Sequence, residues 1–256
     1  VSGQFDSRWN WDFATTYSRQ AVTYDKPDVI GSALQNALNG FGGADCNPLT
    51  GTAGVGPCQF YNPFGSALTG TGSANSAELI ESLSGWTGLK GHADLFTADF
   101  GIDGRIAQWG ANTLDLAAGL QFRRNGFRHD WNDRVNAGDL LTAGFAPDFK
   151  GTQDIFSAYT EGRLSLGDRL EAQLAARYET YDGSSGKISP KLAARWDTLD
   201  TLALKASWGR GFRAPSVYTT QGALAAQPSV LDRGSYIFVN TLTSGRSDLK
   251  PETSDH

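Results

Sequence analysis

Hydrophobic and polar positions alternate with period two over seven stretches of this chain. In an extended chain that period sends every second side chain to the same face, so each stretch predicts a β-strand. The cleanest covers residues 170–181, where Leu170, Ala172, Leu174, Ala176 and Tyr178 oppose Glu171, Gln173, Arg177 and Glu179. In the sixth, Ile188, Leu192, Ala194 and Trp196 oppose Lys191 and Arg195; in the seventh, Leu202, Leu204, Ala206 and Trp208 oppose Lys205 and Ser207. The other four are expected near residues 4–19, 89–103, 113–128 and 153–166. The first of these sets Phe5, Trp9, Trp11, Phe13 and Tyr17 on one face.

The gaps between strands also alternate. A long excursion (20–88) precedes a short gap (104–112), then a long one (129–152) precedes a tight turn at Gly167-Asp168-Arg169. A modest loop (182–186) precedes a second tight turn (197–200), and another excursion runs to about Ser247. In an up-and-down sheet this puts the long loops at one end and the tight turns at the other, the asymmetry of membrane-spanning barrels. The first excursion carries two helical patterns, at 28–40 and at 76–84, with Ser76 placed to cap the second.

Strand length agrees with a membrane crossing. Ten residues at ~3.3 Å each, tilted ~45°, rise roughly 23 Å, against a lipid-facing band of about 25 Å. Charge then selects the face. In the opposite register Arg123, Glu171, Arg177, Arg195 and Lys205 would meet lipid, and each Arg or Lys there costs about 2–4 kcal/mol at the midplane. The charged face is therefore expected inside and the Leu/Ala/Phe face outside, with Trp196 and Trp208 near the interfaces.

Composition narrows the partners. With net charge −5 and no basic run, nucleic acid is not expected as a partner. Mean hydropathy is −0.35, and no apolar run reaches the ~20 residues of a membrane helix, a test that β-strands escape because they show lipid every second residue only. The chain lacks Met, starts at Val1 and stops at His256 just after a strand-opening motif, so it is expected to be a piece of a longer protein.

Two motifs follow the strands. Gly211, Phe212, Arg213, Ala214, Pro215 and Ser216 come directly after the seventh; Asp248, Leu249, Lys250, Pro251, Glu252, Thr253 and Ser254 come about thirty residues later. In this order and after these strands, the pair resembles the signature of TonB-dependent outer-membrane receptors. The resemblance is specific over 201–255 and general elsewhere. It implies an all-β fold: an antiparallel up-and-down transmembrane β-barrel segment, about seven strands plus the start of an eighth, with residues 1–256 in one barrel domain and 20–88 as its long extracellular loop. It also implies the outer membrane of a Gram-negative bacterium and active uptake of a scarce ligand: an iron-siderophore, cobalamin or an oligosaccharide. The partners implied are outer-membrane lipid, that small ligand, and the inner-membrane TonB energy-coupling complex acting through a plug domain that these residues do not contain. The rival readings are an outer-membrane barrel hydrolase and a passive porin-like channel.

Individual residues add less. Cys46 and Cys58 lie in a Gly/Pro/Asn-rich stretch without a nearby His, too few ligands for zinc. That stretch, 42–64, resembles a Cys-bridged external loop found in part of the receptor family, and a disulfide is expected; two unpaired thiols are the alternative. His92 is expected on a strand near the rim and His129 at the start of a loop, neither in metal-binding spacing. Gly183-Ser184-Ser185-Gly186 reads as a turn and not a nucleophile elbow. No catalytic residue, cofactor or metal is expected, and the ligand contacts are not legible. Arg210, Arg213 and Lys250 are expected to pair with acidic groups rather than to clamp a ligand.

Overall fold

The computed structural model describes residues 1–65, 73–182, 186–226, 228–239 and 241–256. Residues 66–72 of the first excursion and the Gly183-Ser184-Ser185 part of the expected turn lie outside the described residues. The strands of one large sheet are β1 (Ser2–Asp6), β2 (Trp9–Val29), β3 (Ser84–Trp109), β4 (Asn112–Trp131), β5 (Phe149–Leu166), β6 (Leu170–Tyr181), β7 (Lys187–Leu199), β8 (Leu202–Arg213) and β13 (Glu252–Asp255). Short helices α1 (Gly31–Leu38), α2 (Ala77–Leu83), α3 (Asp133–Ala137) and α4 (Val217–Gln221) lie in the excursions. The last excursion also holds an arm of four short strands: β9 (Ala223–Ala226) pairs with β12 (Thr241–Ser244), and β10 (Ser229–Asp232) with β11 (Ser235–Phe238).

The large sheet is antiparallel throughout: β1 to β8 each pair with their sequence neighbours, and β13 pairs with β8 across the last excursion. The sheet is open, with β1 and β13 at its ends. Tight turns close the β3–β4 and β5–β6 hairpins, where Gly110 (φ 58°) and Gly167 (φ 59°) adopt the left-handed conformation that costs glycine little.

The register separates the two faces as the alternation requires. The rows Leu166–Leu170–Trp196–Leu204, Leu164–Ala172–Ala194–Ala206 and Gly162–Leu174–Leu192–Trp208 cross β5 to β8 on one face. Leu202, two residues from Leu204 on β8, shares it. The rows Ser165–Glu171–Arg195–Lys205 and Arg163–Gln173–Ala193–Ser207 lie on the other, with Arg177. Leu174 is 61% exposed and Trp196 55%. Such exposure is uneconomical in water and ordinary against lipid tails.

Several boundaries differ from the sequence reading. The first stretch is a hairpin and not one strand: the Asp6 carboxylate accepts from the N–H groups of Arg8 (2.7 Å) and Trp9 (3.2 Å), turning the chain between β1 and β2. The expected loop 20–88 is shorter, because β2 pairs with β3 in unbroken register from Trp9↔Gly104 to Val29↔Ser84. Its outer half has water on both faces, so nothing there demands strict alternation. His129, expected to open a loop, sits within β4 opposite Gly91 and Phe149.

A compact apolar core forms away from the large sheet, in the loops. Ala37 of α1 and Leu79 and Leu83 of α2 are buried together, with Val29, Ala33, Leu34 and Tyr61 packed around them. Ser76 caps α2 by accepting from the Leu79 N–H at 3.1 Å. Cys46 and Cys58 form a disulfide with Cα–Cα 4.8 Å, inside the usual range for such bridges. The loop after β4 closes against the first: Ile30 bridges to Leu140, and both are buried.

Candidate functional site: the inner wall and its loop cap

The polar face of the sheet forms a concave wall with three levels. Near the tight turns, Asp115 accepts from Arg105 Nε at 2.9 Å and from Arg163 Nη2 at 3.1 Å, while Gln173 donates to Glu161. These groups and Arg8, Asp103 and Glu171 line a depression of about 850 Å³. All sit on the alternate positions left over once the apolar residues face out, so the pattern that builds the outer surface also charges the wall.

At mid-height a chain of hydrogen bonds crosses β3 to β6. Gln121 donates to Asp99 (2.5 Å), and Arg177 donates to Gln121 (2.9 Å) and to Glu179 (2.7 Å). Glu179 also accepts from Ser157 (3.0 Å) and Tyr181 (2.6 Å). The Tyr159 ring approaches Gly119 closely: a Cβ there would meet the phenol at 2.5 Å and the Phe100 carbonyl oxygen at 2.6 Å. The glycine is thus required by close approach, not by backbone conformation. Arg123 has a buried Nε with no hydrogen-bond partner among the described residues.

At the upper level the two sequence motifs meet. Gly211, Phe212 and Arg213 end β8 and pair with Ser254, Thr253 and Glu252 of β13. Two motifs some thirty residues apart are therefore neighbouring strands. Arg210 pairs with Asp255 (2.7 Å), the kind of partner expected for it. Arg213 and Lys250 have no ion-pair partner among the described residues.

Ala214, Pro215 and Ser216 then turn the chain onto the wall. The Pro215 carbonyl accepts from Gln153 of β5 at 3.2 Å, and Ser216 caps α4 by accepting from the Thr219 N–H at 3.2 Å. Val217 is buried to 3% exposure, Tyr218 meets Phe149 edge-on at 5.4 Å, and Gln221 donates to the Thr152 carbonyl at 2.9 Å. Phe212 meets Tyr181 edge-on at 6.0 Å, joining the motif to the mid-height network. On the second motif, Leu249 lines a small apolar recess with Tyr218 and Gly245, while Lys250 and Pro251 lead into β13. The sequence marked the motif residues but not what they hold. Gln153, Gln221, Tyr159 and Glu179 were missed as a group, and the one local signal was glycine at 119 and 151, where wall-facing side chains approach the backbone.

Two carboxylates tie the loop cap to the sheet. Asp28 accepts from the Thr142 N–H (3.1 Å) and hydroxyl (2.7 Å) and from Thr87 (3.2 Å), linking β2, β3 and the loop after β4. Asp139 accepts from the Ser32 N–H (2.7 Å) and hydroxyl (2.8 Å) and pairs with Arg134 (2.8 Å). Burial opposes the ionisation of Asp139, but the Ser32 hydrogen bonds and the Arg134 charge outweigh it and hold the carboxyl below the ordinary range. The same balance holds for Asp28, where burial is offset first by the Thr142 hydroxyl.

The wall offers hydrogen-bonding groups to a polar occupant. Among the described residues no cluster of three or more His, Cys, Asp or Glu could hold a metal ion.

Comparison with known proteins agrees with this architecture. Residues 2–256 match the family model described as TonB dependent receptor-like, beta-barrel. The probable TonB-dependent siderophore receptor PirA of Acinetobacter baumannii is 29% identical over 100 residues, 39% of this chain and 13% of its own length. The crystal structure of the siderophore receptor PirA from Acinetobacter baumannii aligns over 99% of this chain and 38% of its own at 18% identity, with a TM-score of 0.48. A mutant ferric enterobactin receptor, PfeA from Pseudomonas aeruginosa in complex with enterobactin, aligns over 99% and 38% at 14% identity, with a TM-score of 0.50. The chain thus spans well under half the length of these solved relatives. With a meander that is apolar outside and charged inside, and a match along nearly its whole length, the chain belongs to the TonB-dependent receptor β-barrel family.

Proposed function

We propose that this chain is part of the barrel of an outer-membrane receptor that takes up a ferric siderophore with energy supplied through TonB. The observation that carries the reading is the family match over residues 2–256. The choice of a siderophore over cobalamin or an oligosaccharide is supported by the name of the PirA relative. Residues 1–256 form one part of a single barrel domain in this reading, with the first excursion, now 30–83, facing the medium. The receptor catalyses no reaction. The remaining strands and the plug lie outside this chain, and the TonB complex acts through that plug.

The wall and cap supply a physical rationale. Long loops at one end of a rigid sheet suit ligand capture, because the scaffold positions them and their variation does not disturb it. Below them the wall is polar, so a hydrophilic iron chelate meets hydrogen-bonding groups rather than hydrocarbon.

The test is uptake of a radiolabelled ferric siderophore panel by iron-starved cells carrying the full-length receptor. One member of the panel is expected to accumulate only when both the receptor and TonB are present. Accumulation that persists without TonB would indicate a passive channel, and selective uptake of cobalamin or an oligosaccharide would replace the ligand class.

A further inference from the structure

The arm of the last excursion ends in a hairpin with one bare apolar face. β10 and β11 pair in the register Ser229↔Phe238, Val230↔Ile237, Leu231↔Tyr236 and Asp232↔Ser235. Arg233 (φ 47°) and Gly234 (φ 84°) close the hairpin in a two-residue turn, which fixes that register. Leu231, Tyr236 and Phe238 therefore share one face, and Tyr236 and Phe238 are 76% and 78% exposed. A two-stranded hairpin is marginal in water unless it packs on something, so this face needs a cover.

Lipid is not that cover. The base of the arm is held by α4: the Gly245 N–H donates to the Gly222 carbonyl (2.7 Å) and the Arg246 N–H to the Thr219 carbonyl (3.1 Å). α4 lies on the inner side of the sheet, where Val217 and Gln221 approach Gly151 and Tyr218 meets Phe149. The arm therefore starts inside the mouth of the barrel. It also starts above β5, because the chain has already crossed from β8 towards β4. Two strand spacings, about 10 Å, separate β5 from β3, where the first excursion rejoins the sheet. From Ala223 to Asp232 the arm extends up to roughly 30 Å at ~3.3 Å per residue, enough to reach that excursion.

A matching apolar surface stands there. In the loop closed by Cys46 and Cys58, Leu49 is 93% exposed and Val55 is exposed too. Phe60 follows, half-exposed, with its ring close to Gly40 and Gly54. Exposed apolar groups gathered on a water-facing loop mark a contact surface. The charges match as well. Asp45, beside Cys46, and Arg233, at the hairpin tip, are both exposed and have no ion-pair partner among the described residues.

We infer that the Leu231–Tyr236–Phe238 face docks on Leu49, Val55 and Phe60 of the disulfide-closed loop, with Arg233 placed to meet Asp45. The arm is then a strap across the mouth, joining the last excursion to the first. The contact lies between two parts of this chain, so it holds whichever ligand the receptor takes.

The experiment uses the full-length receptor in isolated outer membranes, with Tyr236 replaced by the photo-cross-linker p-benzoylphenylalanine. After irradiation and digestion, mass spectrometry locates the adducts, which are expected within residues 45–60. Leu49→Ser with Val55→Ser, and separately Leu231→Ser with Phe238→Ser, are each expected to lower the yield about tenfold, because each pair removes apolar area that the contact buries. Arg233→Glu is expected to lower it about threefold, and Asp45→Arg in the same chain to restore it. Adducts only beyond residue 256, on a second copy of the receptor or on lipid overturn the inference. So does the absence of adducts, or a yield unchanged in both serine pairs. Heat-modified gel migration reports barrel folding; should the loop pair fail it, the arm pair, which lies outside the large sheet, carries the test. Adducts at residues 45–60 in a receptor that takes up no siderophore would overturn the ligand class and leave the strap standing.

Discussion

The loop cap and the sheet below it are built on opposite rules. In the cap, Leu79 is 1% exposed, and apolar side chains gather into a core closed by a disulfide and by carboxylate hubs. In the sheet, Leu174, Leu192 and Trp196 stand on the surface, and the charges line the concave side. The same residue type is thus hidden in one region and displayed in the other. The difference teaches that the solvent differs: the cap folds against water, whereas the sheet turns its apolar face towards lipid. A soluble sandwich would bury that face against a second sheet. Here α4 and its neighbours pack on the charged side instead.

The comparison can be broken by charge. In the full-length receptor, Leu174→Arg together with Leu192→Arg is expected to cost about 2–4 kcal/mol each in urea-driven unfolding from lipid vesicles. Gln173→Arg on the opposite face is expected to cost under ~1 kcal/mol. Similar losses from the two faces would make the assignment of outside and inside wrong.

Cavity creation probes the cap alone. Leu79→Ala is expected to destabilise it by about 3 kcal/mol, through lost burial and the cavity left behind. Hydrogen exchange should rise in α1 and α2 while the amides of β5 to β7 keep their protection; a uniform rise would show the two regions to be one cooperative unit.

Removing the staple should act similarly but more gently. Cys46→Ser with Cys58→Ser is expected to cost about 2–3 kcal/mol within the cap, following the closure entropy of a short loop. Proteolysis between Asn47 and Gln59 should quicken, with the strands left intact. Unchanged cleavage would mean that packing around Tyr61 and Leu79 already holds the loop.

The smallest expected effect is acid sensitivity. Asp28 and Asp139 have carboxyls held below their ordinary value of 3.8 in the folded cap. Their stabilisation is fully present above that value and is lost as pH falls through the lower folded one. The cap should therefore loosen below about pH 4 while the lipid-embedded face is unaffected, and Asp139→Asn should flatten the response by about 1 kcal/mol. A cap that loosens as pH rises would contradict the sign.

How much of this was legible in the sequence depended on where lipid imposes order. Leu170–Tyr181 was read to its ends, because lipid on one side and charge on the other leave no freedom of parity. Ser76 was legible as a cap because its oxygen acts within one turn of its own chain. The far half of β2, Gln20 to Val29, was not legible, since with water on both faces its composition resembles a loop. The β1–β2 hairpin was hidden too, because a two-residue turn barely interrupts the alternation.

By itself the sequence determined the strand parity, the long-and-short rhythm of the loops, the family motifs and the pairing-competent cysteines. Each of these is a local property, set by period, composition or spacing along one segment. Only the tertiary structure decided that Gly211-Phe212-Arg213 lies against Glu252-Thr253-Ser254, that Pro215 and Ser216 turn α4 onto β5, and that Asp28 ties β2 and β3 to the loop after β4. Those contacts join residues far apart in the chain. They depend on register and on the direction in which each excursion folds, which no single segment encodes.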